Sequence, residues 1–353
     1  MVPRIAPSID GVGDYALKLA RVLREDAGFE TRFIVADPHW KGPADIDGFP
    51  VHKIRSGMWA DMASLGPASA LILHYVGYGY QKRGVPFWLV QTLNHLKNLA
   101  PVMTLFHEVW AWGPPWKSAF YLQHFQRRIV RDILNLSQIA ITTTPKMKKL
   151  LERTSAKKQV EFMPMSSSFE GIAPAPLPPP KGLRALIFGQ RGLRLSTIRA
   201  HQRFLRYLDE RQMLEEVVVM GKGAGVAQML SLDARLLKKS VRIQKIRLVG
   251  EATPQEVANE FGGAHFYLSS CPASLLCKST SCMTAFAFGC PVILSDAERP
   301  QPLELGRHFF VFKDFDKKFE LPQKNEGRQW YEQNASWKVV SKKWEHWLRS
   351  LTR

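Results

Sequence analysis

The sequence predicts an α/β protein of two doubly wound parallel sheets joined by an extended linker. Three observations predict it. Short apolar runs alternate with helix-length segments along the whole chain, and the stretch "APAPLPPPKG" at 173–182 interrupts that alternation once. The third is length, since 353 residues exceed what one hydrophobic core comfortably serves. Strands apolar on both faces and separated by helices are the pattern of a parallel sheet covered on both sides.

"MVPRIA" leaves room only for an unusually short first strand, or for a chain that begins inside that strand. "GDYALKLARVLRED" is helical, with Ala16, Leu19, Ala20 and Leu23 on one stripe. "RFIVA" (32–36), "ALILHYV" (70–76), "PVMTLFH" (101–107) and "IAITTT" (139–144) are the strands of the first half. Five prolines in 173–182 exclude helix and central strand and give a semi-rigid linker. The second half supplies "RALIFG" (184–189), "EVVVMG" (216–221), "KIRLVG" (245–250), "HFYLSS" (265–270) and "PVILSD" (291–296). The predicted division is a first domain over 1–172, the linker over 173–182, a second domain over 183–325 and a closing helix over 326–353. In that last segment Trp337, Val340, Trp344, Trp347 and Leu351 form an apolar stripe, with Lys338, Lys342, Lys343 and Arg349 around it. The stripe suits packing on the first domain or lying on a membrane surface.

Bulk properties exclude some classes. No run of about 18 apolar residues occurs, so no membrane-spanning helix is expected. The N-terminus lacks the apolar core of a secretory signal, and four cysteines show no paired framework, both of which point to the cytoplasm. Forty-nine Lys and Arg against 31 Asp and Glu give a net charge of +18, which attracts nucleic acid, anionic lipid or phosphorylated small molecules alike. No nucleic-acid reading module is recognisable, so specific nucleic-acid binding is not expected.

In doubly wound sheets, ligands bind at the carboxyl ends of strands. "DGVGDY" puts Gly11 and Gly13 at a helix opening, where backbone amides favour an anion or the glycines simply make a tight turn. "LFHEVWAWGPPW" (105–116) places His107 and Glu108 at a strand end, suited to sugar hydroxyls or proton transfer, or to a backbone-satisfied histidine. Its three tryptophans could stack on a sugar, wedge against lipid or pack. "IFGQRGLRLST" (187–197) carries Arg191 and Arg194, a plausible two-pronged diphosphate grip. "VVMGKGAG" (218–225) carries Lys222, read as solvated.

"CKSTSCMTAFAFGCPVILSD" (277–296) holds three of the four cysteines. No C-x-x-C and no nearby histidine occur, so metal spacing is absent and the cysteines read as small buried hydrophobes. "KSTS" reads as a helix entry, with Ser279 as cap and Lys278 adding charge, which suits a phosphate.

These residues together resemble the GT-B glycosyltransferases, and most closely the retaining, nucleotide-sugar-dependent family 4. "TAFAFGCPVI" resembles that family's E-A-x-A-x-G-x-P-V-I segment, "GVGDYALKLARVL" its glycine loop and helix, and "FHEVWAWGPPW" the stretch with its sugar-contacting histidine. The resemblance implies two Rossmann-like domains facing a cleft, with the last helix crossing back to the first domain. By position it implies that Gly11 and Gly13 line the donor diphosphate and acceptor entrance and that His107 meets the transferred sugar. Arg191 or Arg194 would bind diphosphate, while Lys278, Ser279 and Ser281 would cradle phosphate. The family's paired glutamates fall on Leu276 and Thr284, neither acidic. Thr284 thus takes the ribose-holding position, and a Lys-Ser-rich segment stands in for the acidic pair.

The expected activity is sugar transfer from a nucleotide-diphosphate donor, with retention, to a lipid-linked or surface-polysaccharide acceptor. His107, Arg191 and Lys278 are the expected catalytic residues. The donor is a substrate, and neither a cofactor nor a metal is expected. The basic charge suggests a peripheral enzyme on the anionic inner face of the cytoplasmic membrane. A non-catalytic scaffold of the same fold, binding nucleotide, lipid or a partner subunit, is the alternative.

Overall fold

The computed structural model describes residues 1–8, 10–54, 66–155, 158–176, 181–221, 231–296, 298, 302–314, 317–322 and 325–351. Lys222 and part of the proline run lie outside the described residues. The chain divides into two compact units, one of Met1–Pro164 with Trp337–Arg353 and one of Met165–Ser336.

The first unit is built on β1 (Phe33–Val35), β2 (Asp45–Ile46), β3 (Phe49–Lys53), β4 (Leu71–Tyr75), β5 (Val102–Phe106), β6 (Ile139–Thr142) and β7 (Val160–Phe162). They form two ladders, β1-β3-β2 and β4-β5-β6-β7, parallel except for the β2–β3 hairpin. Residues 1–3 bridge the ladders. Val2 N donates to Ile34 O, Ala36 N to Val2 O, Met1 N to Ile72 O and His74 N to Met1 O. Val2 thus makes a parallel bridge to Val35 on one side, while Met1 bonds to β4 on the other. A helix over Gly11–Ala27 comes next, with Tyr15, Ala16, Leu19, Ala20 and Leu23 buried. Gly13 is required there, because a Cβ would sit 2.3 Å from the Arg4 carbonyl oxygen.

The second unit carries β8 (Leu183–Phe188), β9 (Leu214–Met220), β10 (Ile246–Gly250), β11 (Phe266–Ser269), β12 (Val292–Leu294) and β13 (Phe309–Phe310). All are parallel, in spatial order β10-β9-β8-β11-β12-β13. The order runs outward from β8 in one direction and then, from β11, in the other. That is the doubly wound Rossmann order, with its topological switch point between β8 and β11.

The unit boundary lies ahead of the proline run. Residues 165–172 belong with the second unit because Met165 N donates to Cys277 O at 2.8 Å and Ser167 N donates to the Tyr331 hydroxyl at 2.9 Å. The closing segment is two helices rather than one. Asn325–Asn334 packs on the helix Thr280–Ala287, with Phe286 and Trp330 ring centroids 6.3 Å apart. Trp337–Leu351 packs on Gly11–Ala27, burying Trp337, Val340, Trp344 and Leu348. Its Ser341 hydroxyl donates to Asp26 at 2.6 Å, and Trp337 lies 5.1 Å from the Tyr15 ring. The amphipathic stripe thus turns onto the first unit.

Candidate functional site

In the second unit the switch point is bounded by the segments that leave β8 and β11. After β8 the chain turns at Gly189 and enters the helix Arg191–Ala200, whose N-cap Gln190 makes no side-chain capping bond. Arg191 and Gly192 are exposed, and no atom lies within 4 Å of the place a Cβ on Gly192 would occupy. After β11 come Ser270, Cys271, a 3₁₀ turn over Ala273–Lys278 and the helix Thr280–Ala287. The end of β11 is laced to the helix Arg191–Ala200. Ser270 N donates to the Thr197 hydroxyl at 3.0 Å, and Nε2 of buried His201 lies 3.1 Å from Ser269 O.

Arg194 is not a diphosphate ligand here. Its side chain is fully buried, paired with Asp233 at 3.3 Å and donating to Gly189 O at 2.7 Å. The departure from expectation is one of cover rather than of helical face: Arg191 stands at the open first turn of the helix and is exposed, whereas Arg194, one turn further in, is covered by Asp233 and by the turns at Gly189 and Gly221. Gly221 accommodates it, since a Cβ there would meet Gly189 O at 2.3 Å and Arg194 Nη1 at 3.0 Å.

Ser279 caps the second helix, its hydroxyl accepting from Cys282 N at 3.3 Å and lying 3.1 Å from the Ser281 hydroxyl. Ser281 is buried, and Thr284 is almost wholly so. The Thr284 hydroxyl donates to Thr280 O at 2.8 Å and lies 2.9 Å from the Ser167 hydroxyl. That inward anchorage removes Thr284 from ribose contact and corrects the expectation placed on it. Lys278 and Ser279 remain half-buried at the helix entry.

The four cysteines are free and buried. Burial pushes the Cys277 thiol up to about 12, and Cys282 is also raised, chiefly by its bond to Cys271. Cys271 is lowered, first by the hydrogen bond from Cys282, then by the Ser279 hydroxyl and the Lys278 charge. Among the described residues no three His, Cys, Asp or Glu side chains converge as a metal-holding group.

In the first unit His107 comes directly after β5 and is 5% exposed. Its Nε2 lies 3.2 Å from Nδ1 of His74 on β4, the rings stack at 5.5 Å, and Tyr15 meets both edge-on. Burial, then the neighbouring His107, drives the His74 pKa well below its ordinary value, so His74 is neutral at physiological pH. The glycine loop is less open to an anion than the sequence suggests. Asp10 caps the helix, its carboxylate accepting from Val12 N at 2.9 Å and Gly13 N at 3.2 Å. A carboxylate already occupies those amides. Gly11 alone has open space around it.

Sequence reasoning misses three participants. His74 sits mid-strand with no motif, Asp10 is overshadowed by the glycines beside it, and "MSSSFE" (165–170) reads as featureless chain ahead of the linker. The cap is detectable, since Asp ahead of an apolar-periodic run is a helix-start signal.

Two Rossmann-like units with this strand order constitute the GT-B fold of glycosyltransferases. The chain is similar to a glycosyltransferase from Rickettsia africae, at 11% identity over 98% of this chain and 97% of that one, with a TM-score of 0.65. It is also similar to a UDP-forming α,α-trehalose-phosphate synthase from Burkholderia xenovorans, at 11% identity over 84% and 78% of the two chains, with a TM-score of 0.53. No family model matches the sequence. No curated protein matches it either. At these identities the likeness shows the fold alone.

Proposed function

We propose that this protein is a glycosyltransferase that moves a sugar from a nucleotide-diphosphate donor to an acceptor hydroxyl, with retention of configuration. The observation that carries the reading is the β8–β11 switch point of the second unit. There a helix start without a side-chain cap, bearing Arg191, and a second helix entry bearing Lys278 and Ser279 come after the two strands that flank the switch point. Unpaired N–H groups at a helix start and cations at strand ends are what a diphosphate needs.

The chemistry asks for charge stabilisation more than for a protein acid or base. As the bond from the anomeric carbon to the diphosphate breaks, charge grows on the leaving phosphate. Arg191, Lys278 and the amides opening the Arg191–Ala200 helix are the groups that would meet it. The departing phosphate oxygen takes the acceptor proton on the same face, which accounts for retention. His107, held against neutral His74, stays in the reading as the sugar-side residue. Arg194, Ser281 and Thr284 become supports: the first fixes the Gly189 turn, and the other two fix the helix that presents Lys278.

The UDP-forming synthase and the similar glycosyltransferase support this reading at the level of fold. The acceptor in this reading is a lipid-linked or surface-polysaccharide precursor met at an anionic membrane surface. Among the described residues no helix is long and apolar enough to cross a membrane. The test is release of nucleoside diphosphate from a panel of nucleotide sugars, with NMR of the product anomer. Turnover that falls at least about a hundredfold in Lys278→Ala, with an anomer matching the donor, is the expected result. Full turnover in that variant, or an inverted anomer, contradicts the proposal.

A further inference from the structure

The exposed apolar surface of the first unit is concentrated. Among the described residues Tyr78, Phe87, Trp112, Trp116, Tyr121 and Phe125 are all exposed aromatics, with Trp112 at 67% and Trp116 at 82%. They come from the turn after β4, the start of the helix Phe87–Leu96, and the loop after β5 that runs into the helix Ser118–Leu136. One buried amide ties these elements together. Gln126 Nε2 donates to the Tyr78 hydroxyl at 3.3 Å and to Arg83 O at 3.1 Å, and its Oε1 accepts from Ala111 N at 2.9 Å. Phe87 and Phe125 meet edge to face at 6.2 Å, and the Arg127 guanidinium covers the Trp112 ring at 4.9 Å. Tyr121 and Phe125 lie four apart on one helix, so they share a face.

Charge around this surface is one-sided. Residues 76–136 hold seven Lys and Arg against two acids, Glu108 and Asp132. Asp132 already lies 4.0 Å from Arg128. Lys82, Arg83, Lys117, Arg128 and Arg131 are exposed. Six exposed aromatics on elements tied together by one buried amide mark a binding face rather than ordinary scatter.

The geometry points to this face, and not the closing helix, as the membrane-docking surface: the six aromatics seat in the interfacial layer of an anionic bilayer while the surrounding lysines and arginines meet its headgroups. Trp and Tyr favour that layer because one end of each ring is apolar and the other polar. Basic residues within a Debye length of an anionic leaflet add to the attraction. A second copy of the chain fits poorly, because a two-fold contact sets the same surplus of positive charge against itself. A single-stranded nucleic acid fits poorly too. Its bases need open ring faces, whereas Arg127 covers Trp112 and Phe87 meets Phe125 by an edge. The closing helix is a poorer candidate because Trp337, Val340 and Trp344 of its stripe are buried against Gly11–Ala27, which leaves only Trp347 and Leu351 partly exposed.

The inference rests on the proposed function in one respect, that a lipid-linked acceptor is met at this face. The loops that carry the aromatics come after β4 and after β5, the strand that ends at His107. The test itself involves neither donor nor acceptor. The full chain is sedimented with vesicles of phosphatidylcholine alone and of three parts phosphatidylcholine to one part phosphatidylglycerol. The variants are Trp112→Ser/Trp116→Ser/Phe125→Ser and, for the closing helix, Lys338→Gln/Lys342→Gln. All the substituted side chains are exposed, so unchanged circular dichroism and melting confirm folding.

Wild type should bind the anionic vesicles and not the neutral ones. The triple variant should lose at least about tenfold in partitioning, and the closing-helix variant should stay within about twofold. Equal binding by the triple variant overturns the inference, as does loss confined to the closing-helix variant. So do wild-type indifference to anionic lipid, a dimer in light scattering that the triple variant disperses, and RNA binding that only the triple variant loses. A nucleotide-induced melting shift without vesicle binding removes this inference alone. Vesicle binding without any nucleotide response removes only the transferase reading.

Discussion

Replacing Arg194 by methionine separates a structural role from a phosphate-binding one. The guanidinium is wholly buried, faces Asp233 at 3.3 Å and holds Gly189 O at 2.7 Å. Its removal leaves a carboxylate that is 3% exposed without its cation, and a turn carbonyl without its donor. Breaking a buried pair from one side costs about 3–5 kcal/mol. In a unit of this size that lowers the melting temperature by about 6–20 °C, taking about 2–4 °C per kcal/mol. The double variant Arg194→Met/Asp233→Leu should recover most of the loss, because exchanging a whole buried pair for apolar side chains is close to neutral. Urea unfolding gives the free energies, and hydrogen exchange over residues 183–221 places the loss in the β8–β9 layer. An Arg194→Met protein within about 0.5 kcal/mol of wild type that no longer binds nucleotide would refute the reasoning and return Arg194 to the site.

Other predictions come from buried polar groups. Burial holds the His201 pKa down to about 4 and drives that of His74 well below the ordinary 6.5. Both are neutral when folded, so their contribution is complete above about pH 6.5 and is lost as pH falls through that value toward 4. For His201 alone this amounts to about 3 kcal/mol by pH 4, readable as a steep fall in melting temperature that His201→Gln flattens. Thr284→Val leaves the Ser167 hydroxyl without this partner and should cost about 1–3 kcal/mol in urea unfolding. The Cys271 pKa is lowered while those of Cys277 and Cys282 are raised, so iodoacetamide should label Cys271 ahead of those two in peptide mapping.

Much of the fold is legible because the strands are apolar on both faces and bounded by glycine, proline or hydroxyl residues. β1, β4, β5, β6, β10, β11 and β12 fall inside the runs that periodicity marks, while β8 and β9 begin one and two residues ahead of theirs. The closing helix is legible as amphipathic, and its packing partner becomes visible only through Tyr15 and Asp26, more than 300 residues away in sequence. The site is less legible for a physical reason. Whether a polar residue binds a ligand or braces the fold depends on what covers it, and spacing alone does not give that. Arg191 and Arg194 read alike in sequence, yet one is exposed and the other fully buried. Ser279 and Thr284 differ in the same way. Asp10 reads as a spectator until its carboxylate is seen on the amides that the glycines were expected to offer.

The most direct measurement is a thermal-shift panel with UDP, GDP and ADP on wild type, Lys278→Ala and Arg191→Ala. A nucleotide at about a hundred times its Kd adds about 2.7 kcal/mol, a shift of several degrees. The account predicts that one nucleoside diphosphate produces this shift and that both variants lose it while melting like wild type without ligand. No shift with any nucleotide at millimolar concentration, or a shift unchanged in both variants, would contradict a diphosphate site at the β8–β11 switch point.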